Sequence, residues 1–499
     1  MGIIARQSAK SSLVSLTSTA VGVLATLFVY TLDLDGYGFT QILLATSILL
    51  APFASLGLSG VVIRYYPEFN GTPALRASFF SFLLLGGGVG ALLLTGMYHG
   101  IGVPLLRQYS TTDNEFSLYI TYAGPILWLT VLQLYAGIIE AYTMNFHRIT
   151  VQTIATTLVP KFVLPVIILL YVQLQWNYSM LAYALITMRV LVLALLCLYL
   201  YRLGEFRLTT SVGTILRSGR FRELLTYAAY GIVGAIGGKI ALQIDTVSLG
   251  AYVSKEDVGV YQILVFAAAV ITIPYYALTR IASPILTEAL QVGDTKKIEN
   301  IYQRSSLLLG FIGLIVFTGI YVSLPDIFRI TGKEAAFAGG LLTFGLIGVG
   351  KLLDLVGSVN GQIIAYSNLY RFNLVLVVVL ALLNIILNYY FIAVLNLGMI
   401  GAAAASLLAL AIFNLLKAGF IYRRMKIQPL LPELTYAVGL SVLLIGFWTL
   451  VPLRLGALIN LMVRSLGTGA VYLVYIMGTS HLPELREFVL TMVAKAKFK

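Results

Sequence analysis

Four basic side chains stand where a membrane span should hold only hydrocarbon. Lys161, Arg189, Lys239 and Lys351 each fall near the middle of a long apolar run. On insertion scales a central Lys or Arg costs roughly 2.5–3.5 kcal/mol, so four cost on the order of 10 kcal/mol. That is comparable to a whole folding stability. These side chains must therefore face a polar cavity or an acidic partner. Acids are scarce within the runs: Asp245, Asp354 and, at an inner end, Glu140. Asp354 follows Lys351 by three residues, so the two share a helix face and can neutralise each other. With both Asp residues ionised, mid-depth charge still exceeds neutrality by about two positive units, which attracts anions and repels cations. Lys and Arg suit phosphate oxygens in particular.

The neighbouring polar residues refine this. Lys239 and Gln243 are four apart and project from one helix face. Asp245 is turned about 120° from Lys239. It is thus a partner for another helix or an ion-coupling site, and Asp354 is the second candidate for coupling. Gln133, Gln243, Asn384, Asn388 and Asn414 could read hydroxyl groups, or could make hydrogen bonds between helices. Lys417 lies close enough to a span end to snorkel. Arg464, in the outer third of the last span, fits a structural and a functional role equally.

The elements that position these residues are membrane helices. Of 499 residues 59% are hydrophobic and only 11% charged, a balance found in helical membrane proteins. Fourteen spans are expected: 11–31, 38–61, 77–98, 116–140, 151–173, 179–201, 225–250, 259–281, 304–325, 336–358, 372–394, 399–422, 433–452 and 457–479. Each can cross a ~30 Å hydrocarbon core. With this count, 22 of the 33 Lys and Arg fall on the side of the termini, 5 on the opposite side and 6 within spans. That asymmetry places both termini in the cytoplasm. It also accounts for the net charge of +13 as topology, with no nucleic acid partner expected. The segment 202–224 carries five Arg among apolar residues and reads as a surface helix on anionic lipid.

An internal repeat organises the spans. DGYGFTQILLA (35–45) matches EDVGVYQILVF (256–266), with Gly38 on Gly259 and Gln41 on Gln262, an offset of 221 residues. Pro52 and Pro274 follow, then Arg64 and Arg280 at inner ends. The expected division is a first half, 1–201, a basic linker, 202–224, a second half, 225–422, and two further spans with a tail, 423–499. Two six-span halves of this kind are a transporter plan, with the substrate site near the midplane at their interface.

Other chemistry finds no support. The single cysteine, Cys197, excludes an intrachain disulfide. No GxxxxGK[ST] stretch is present, so ATP hydrolysis is not expected. His99, His147 and His481 are scattered and suggest no metal site. No outer loop offers paired carboxylates of the sort a glycan-assembling enzyme needs. No cofactor is expected, and no enzyme.

The elements GFTQILL and GVYQILV, the stretch LGMIGAAAAS (397–406) and the opening MGIIARQSAKSSLVS resemble the polysaccharide (O-antigen type) flippase family. That family belongs to the multidrug/oligosaccharidyl-lipid/polysaccharide exporter superfamily. The resemblance implies an all-α integral membrane protein: two pseudo-symmetric six-helix lobes around a central cavity, here with two C-terminal helices added. It implies alternating access in a bacterial inner membrane and a lipid-linked oligosaccharide, carried on undecaprenyl diphosphate, as substrate. Membrane lipids and other polysaccharide assembly proteins are the implied partners. On that footing Lys239, Arg189, Lys161, Lys351 and Gln243 would hold the headgroup, while Arg64 and Arg280 would recruit it or gate the inner mouth. The alternatives are a cation-coupled small-molecule or drug exporter of the same fold and a membrane enzyme of glycan assembly. An acidic cavity would favour the exporter.

Overall fold

The computed structural model describes residues 3–110, 116–146, 149–217, 219–367, 370–451, 453, 455–479, 485–487 and 490–491. Among these, thirteen helices are long and apolar enough to cross a membrane, and there is no strand. The protein is an all-helical, multi-pass membrane protein. The first expected span, 11–31, lies on the helix Ile3–Phe28, whose apolar part is Leu13–Phe28. Several helices outrun the hydropathy signal, because polar ends extend a helix beyond its apolar centre. Thr295–Ile330 runs for 36 residues, where the apolar run 304–325 marked only its middle.

The chain forms two compact units. The first comprises Met1–Gln262 with Asn384–Gly398, and the second Ile263–Leu383 with Met399–Lys499. The repeat had placed the helix Phe221–Tyr252 at the head of a second half. Its packing places it in the first unit, against Leu34–Ser55. Glycine makes that packing close. A Cβ on Gly250 would stand 2.7 Å from the Ile42 side chain, and one on Gly57 only 2.1 Å from the Ala228 carbonyl oxygen.

The repeated elements meet within the first unit. A Cβ on Gly38 would lie 1.7 Å from the Lys255 carbonyl oxygen, and one on Gly259 2.2 Å from that of Leu34. Both repeats are then interrupted. Leu34–Ser55 contains Pro52 and stops at Leu56 and Gly57, both left-handed at φ 48° and 72°. The chain restarts as Leu58–Phe69. In the second repeat a 3-10 turn, Val270–Thr272, separates Lys255–Ala269 from Ile273–Val292. Pro274 sits in the first turn of the restarted helix, the one place where its missing N–H costs no helical bond.

The segment 202–224 is not a surface helix. Its helical part before Phe221 is the four-residue turn Gly213–Leu216. The Thr209 N–H donates to Ser81 Oγ at 2.9 Å, and Phe206 meets Phe80 edge-on at 5.7 Å. Val212 and Ile215 are buried, Ile215 completely. Val212, Ile215 and Leu224 find a protein core, while Leu208 and Leu216 stay exposed.

In the second unit Thr295–Ile330 packs against Gly340–Gly357, Glu433–Leu450 and Ala457–Gly478. Polar contacts fix the last two helices to it and to each other. The Tyr472 hydroxyl lies 3.1 Å from Thr318 Oγ1 and 2.6 Å from Ser441 Oγ. Trp448 Nε1 donates to Thr468 Oγ1 at 3.0 Å.

Candidate functional site

The break at Leu56–Gly57 opens a cavity of about 480 Å³ in the first unit. Ser55, Gly57 and Ser59 line it from the broken helix, Gln133 and Glu140 from Ala123–Met144, and Lys239 from Phe221–Tyr252. Broken helices expose backbone groups, and membrane proteins tolerate them where they line a cavity. Gln133 and Glu140 are seven apart and so share one helix face. Lys239 is exposed and Glu140 half-buried. The two share the cavity without closing to an ion pair. The volume suits a small polar headgroup rather than a whole glycan.

The other expected basic residues lie elsewhere. Arg189 is half-buried on Tyr178–Arg202, and its Nε is buried without a hydrogen-bond partner. Lys161 is half-buried on Val159–Gln173. Neither lines the cavity of Lys239, nor does Gln243. Lys351 belongs to the second unit. Arg64 is exposed and stacks its guanidinium on Tyr227, 4.7 Å from the ring centre. Arg280 is exposed on Ile273–Val292 in the second unit.

Asp245 is buried and joins two other helices. Its Oδ2 accepts from the Tyr261 hydroxyl at 2.7 Å and its Oδ1 from Asn388 Nδ2 at 2.8 Å. Asn384 and Asn388 are 2% and 0% exposed, and their Oδ1 atoms are buried without a hydrogen-bond partner. Beside them Gln262 donates to Thr246. This is a compact set of oxygens in a low-dielectric interior, where an unmet acceptor is costly. Sequence spacing offers Asn384 and Asn388 as sugar-reading groups or as hydrogen bonds between helices; helix rotation turns Asn388 onto Asp245.

Asp354 does not pair with Lys351. Its Oδ1 accepts from Asn414 Nδ2 at 2.7 Å, and Asn360 in turn donates to Asn414 Oδ1 at 3.2 Å. Lys417 does not snorkel freely. It is half-buried, with Nζ 3.8 Å from the centre of the Phe413 ring, a cation–π contact.

One buried acid lies outside the expected spans. Asp326 lies beyond the apolar run 304–325 and reads as a loop residue. In the longer helix it is fully buried and meets Arg464 at 3.2 Å. Asn460 Nδ2 also donates to it, at 3.4 Å. Among the described residues no group of three or more His, Cys, Asp and Glu could hold a metal ion.

No protein-family profile matches the chain. A stretch of 250 residues, 48% of the chain, is 25% identical to the probable low-salt glycan biosynthesis flippase Agl15 of Haloferax volcanii. The match spans about half of that relative, 52% of its length. Among solved structures the chain is similar to the lipid II flippase MurJ in an inward closed conformation. The TM-score is 0.69 at 13% identity, covering 94% of this chain and 98% of that one. It is also similar to an inward-facing multidrug resistance MATE family transporter of the MOP superfamily. There the TM-score is 0.63 at 12% identity, over 84% and 95% of the two chains. The chain shares its fold with these two proteins.

Proposed function

We propose that the protein flips a lipid-linked oligosaccharide from the cytoplasmic to the outer leaflet by alternating access. The carrier is undecaprenyl diphosphate and the membrane the bacterial inner membrane, with both termini cytoplasmic. The product feeds cell-surface polysaccharide synthesis of the O-antigen type. The observation that carries this reading is Lys239, a cation sharing a cavity at a helix break with Gln133, Glu140, Ser55 and Ser59. An ammonium there supplies charge-assisted hydrogen bonds to diphosphate oxygens, and Gln133 can take a sugar hydroxyl. Arg189, Lys161, Lys351 and Gln243 add polar and cationic groups along the path. Arg64 and Arg280 recruit the headgroup or gate its entry. The polyprenyl tail stays in lipid. The similarity to a probable glycan biosynthesis flippase supports the substrate class.

Asp245 provides for coupling. Oxygen donors suit hard cations, and the orphan Oδ1 of Asn388, whose Nδ2 bonds the buried carboxylate, fits a monovalent cation or a proton. Asp354, held by Asn414, is the corresponding candidate in the second unit.

Deleting the gene should cause lipid-linked oligosaccharide to accumulate on the cytoplasmic side. Lys239→Ala and Arg189→Ala should fail to restore export at normal protein levels; full complementation by both sinks the assignment. Glu140 favours a second reading, a cation-coupled small-molecule exporter, because it brings an acid into the Lys239 cavity. In that case Glu140→Gln should abolish efflux of cationic dyes, while Lys239→Ala should leave it intact.

A further inference from the structure

Two facing walls of the Lys239 cavity each carry one charge. Gln133, Gly137 and Glu140 recur at steps of four and three along Ala123–Met144, and Gly231, Ala235 and Lys239 at steps of four along Phe221–Tyr252. Each set is a single helix face, and both helices pack on the broken pair Leu34–Ser55 and Leu58–Phe69. Gly137, Gly231 and Ala235 have little or no side chain, which leaves open space beside the two charges. Glu140 and Lys239 are the charged residues of this lining.

The two charges sense each other electrostatically. Yet among the described residues neither the carboxylate nor the ammonium closes an ion pair or a hydrogen bond. The backbone at this turn is held instead: the Glu140 carbonyl oxygen accepts from Thr143 Oγ1 at 2.9 Å and from the Gln152 amide. The carboxylate itself is left to the cavity.

That arrangement has an energetic consequence. A lone ammonium at membrane depth is costly. A carboxylate in the same space offsets the cost, and the empty cavity is neutral with both groups ionised. An entering phosphate changes the balance. It meets Lys239 directly in a charge-assisted hydrogen bond, while Glu140 opposes it with like charge at longer range. The carboxylate therefore favours the empty cavity over the filled one. Unit charges about 10 Å apart alter affinity roughly tenfold at an effective dielectric of about 20. A site on a transport path must bind well enough to fill and weakly enough to empty.

We propose that Glu140 is the resident counter-ion of Lys239, which sets the affinity of the cavity for a phosphate-bearing headgroup and promotes its release. The proposal rests on the assignment of Lys239 to the diphosphate. Glu140 is a positioning residue, acting through Lys239 and through repulsion. Removing its charge should tighten binding and slow turnover, the reverse of what loss of a ligand or of packing produces.

The test uses the full-length protein in a maltoside detergent at low salt, with farnesyl diphosphate as the probe and microscale thermophoresis as the readout. Wild-type protein should bind saturably and Lys239→Ala should not. Glu140→Gln should bind roughly tenfold more tightly than wild type. Glu140→Ala, which also removes the charge, should show the same gain, so the result does not depend on how one variant folds. Glu140→Asp should stay nearer to wild type than Glu140→Gln. In liposomes, transfer of a fluorescent polyprenyl-diphosphate oligosaccharide by Glu140→Gln should saturate at lower substrate concentration and at a lower maximal rate. Unchanged or weaker binding by Glu140→Gln and Glu140→Ala, with Lys239→Ala still defective, overturns the counter-ion role and leaves the Lys239 assignment standing. Tighter binding with an undiminished maximal rate overturns the part in release. Equal binding by wild type and Lys239→Ala overturns the Lys239 assignment, and the counter-ion with it.

Discussion

Gly38 and Gly259, equivalent positions of the internal repeat, bring their two helices into backbone contact. Each would drive an added Cβ into the other helix, 1.7 Å from the Lys255 carbonyl oxygen and 2.2 Å from that of Leu34. A repeat noticed as a pattern of letters is therefore a helix crossing that only glycine permits. Alanine at either position must push backbone apart, at the upper end of the ~1–3 kcal/mol typical of overpacking. Gly238→Ala is the control, since nothing lies within 4 Å of its added carbon. Thermal unfolding in detergent should show a clear loss for Gly38→Ala and Gly259→Ala and none for Gly238→Ala.

The buried pair of Asp326 and Arg464 gives a second prediction. Removing one partner strands a buried charge, at a cost of about 3–5 kcal/mol. Asp326 is fully buried and Arg464 nearly so. Arg464→Ala should therefore lower the melting temperature sharply, while Asp326→Asn combined with Arg464→Met should recover most of the loss. Equal melting temperatures for the single and double variants would show that the pair does not hold the last helix.

The segment 202–224 makes a third case. Ile215 is fully buried whereas Leu216 is 49% exposed. Ile215→Asp places a charge in the core of the first unit and should abolish accumulation of folded protein. Leu216→Asp should be tolerated. Fluorescence size-exclusion profiles of tagged variants would separate the two, and a surface helix lying on lipid would not distinguish these residues so sharply.

Asp245 is the fourth. With the carboxylate replaced by an amide, the Asn388 oxygen loses the negative charge that would balance a cation. Asp245→Asn should fold, since Tyr261 and Asn388 keep a partner of similar shape. It should also lose any dependence of transport on a sodium or proton gradient, with the rate falling about tenfold or more, as expected for a lost interaction of 1.4 kcal/mol. Transport that keeps its gradient dependence would remove Asp245 from the coupling role.

The sequence made the membrane helices legible because each needs a long apolar centre, and hydropathy reads that directly. It missed what interrupts or extends them. The stop at Leu56–Gly57 lies inside an apolar stretch, so nothing in composition marks the break that opens the Lys239 cavity. Asp326 falls outside the expected span 304–325, and the helix carries on past it to Ile330. Asn384, Asn388 and Asn414 were visible as polar residues at membrane depth, but their partners depend on helix rotation, which spacing does not supply. Lys239 and Glu140 are 99 residues apart in the chain. Only the packing of two helices on the broken one brings them into the same cavity.

The central claim is that Lys239 holds the diphosphate of a lipid-linked glycan during transfer. The most direct measurement is flipping itself, with purified protein in liposomes and a fluorescent polyprenyl-diphosphate oligosaccharide. Quenching by a membrane-impermeant reductant reports arrival in the outer leaflet. Wild-type protein should accelerate transfer, Lys239→Arg should retain part of the rate, and Lys239→Ala should fall to that of empty liposomes. Transfer by Lys239→Ala at the wild-type rate would contradict the account.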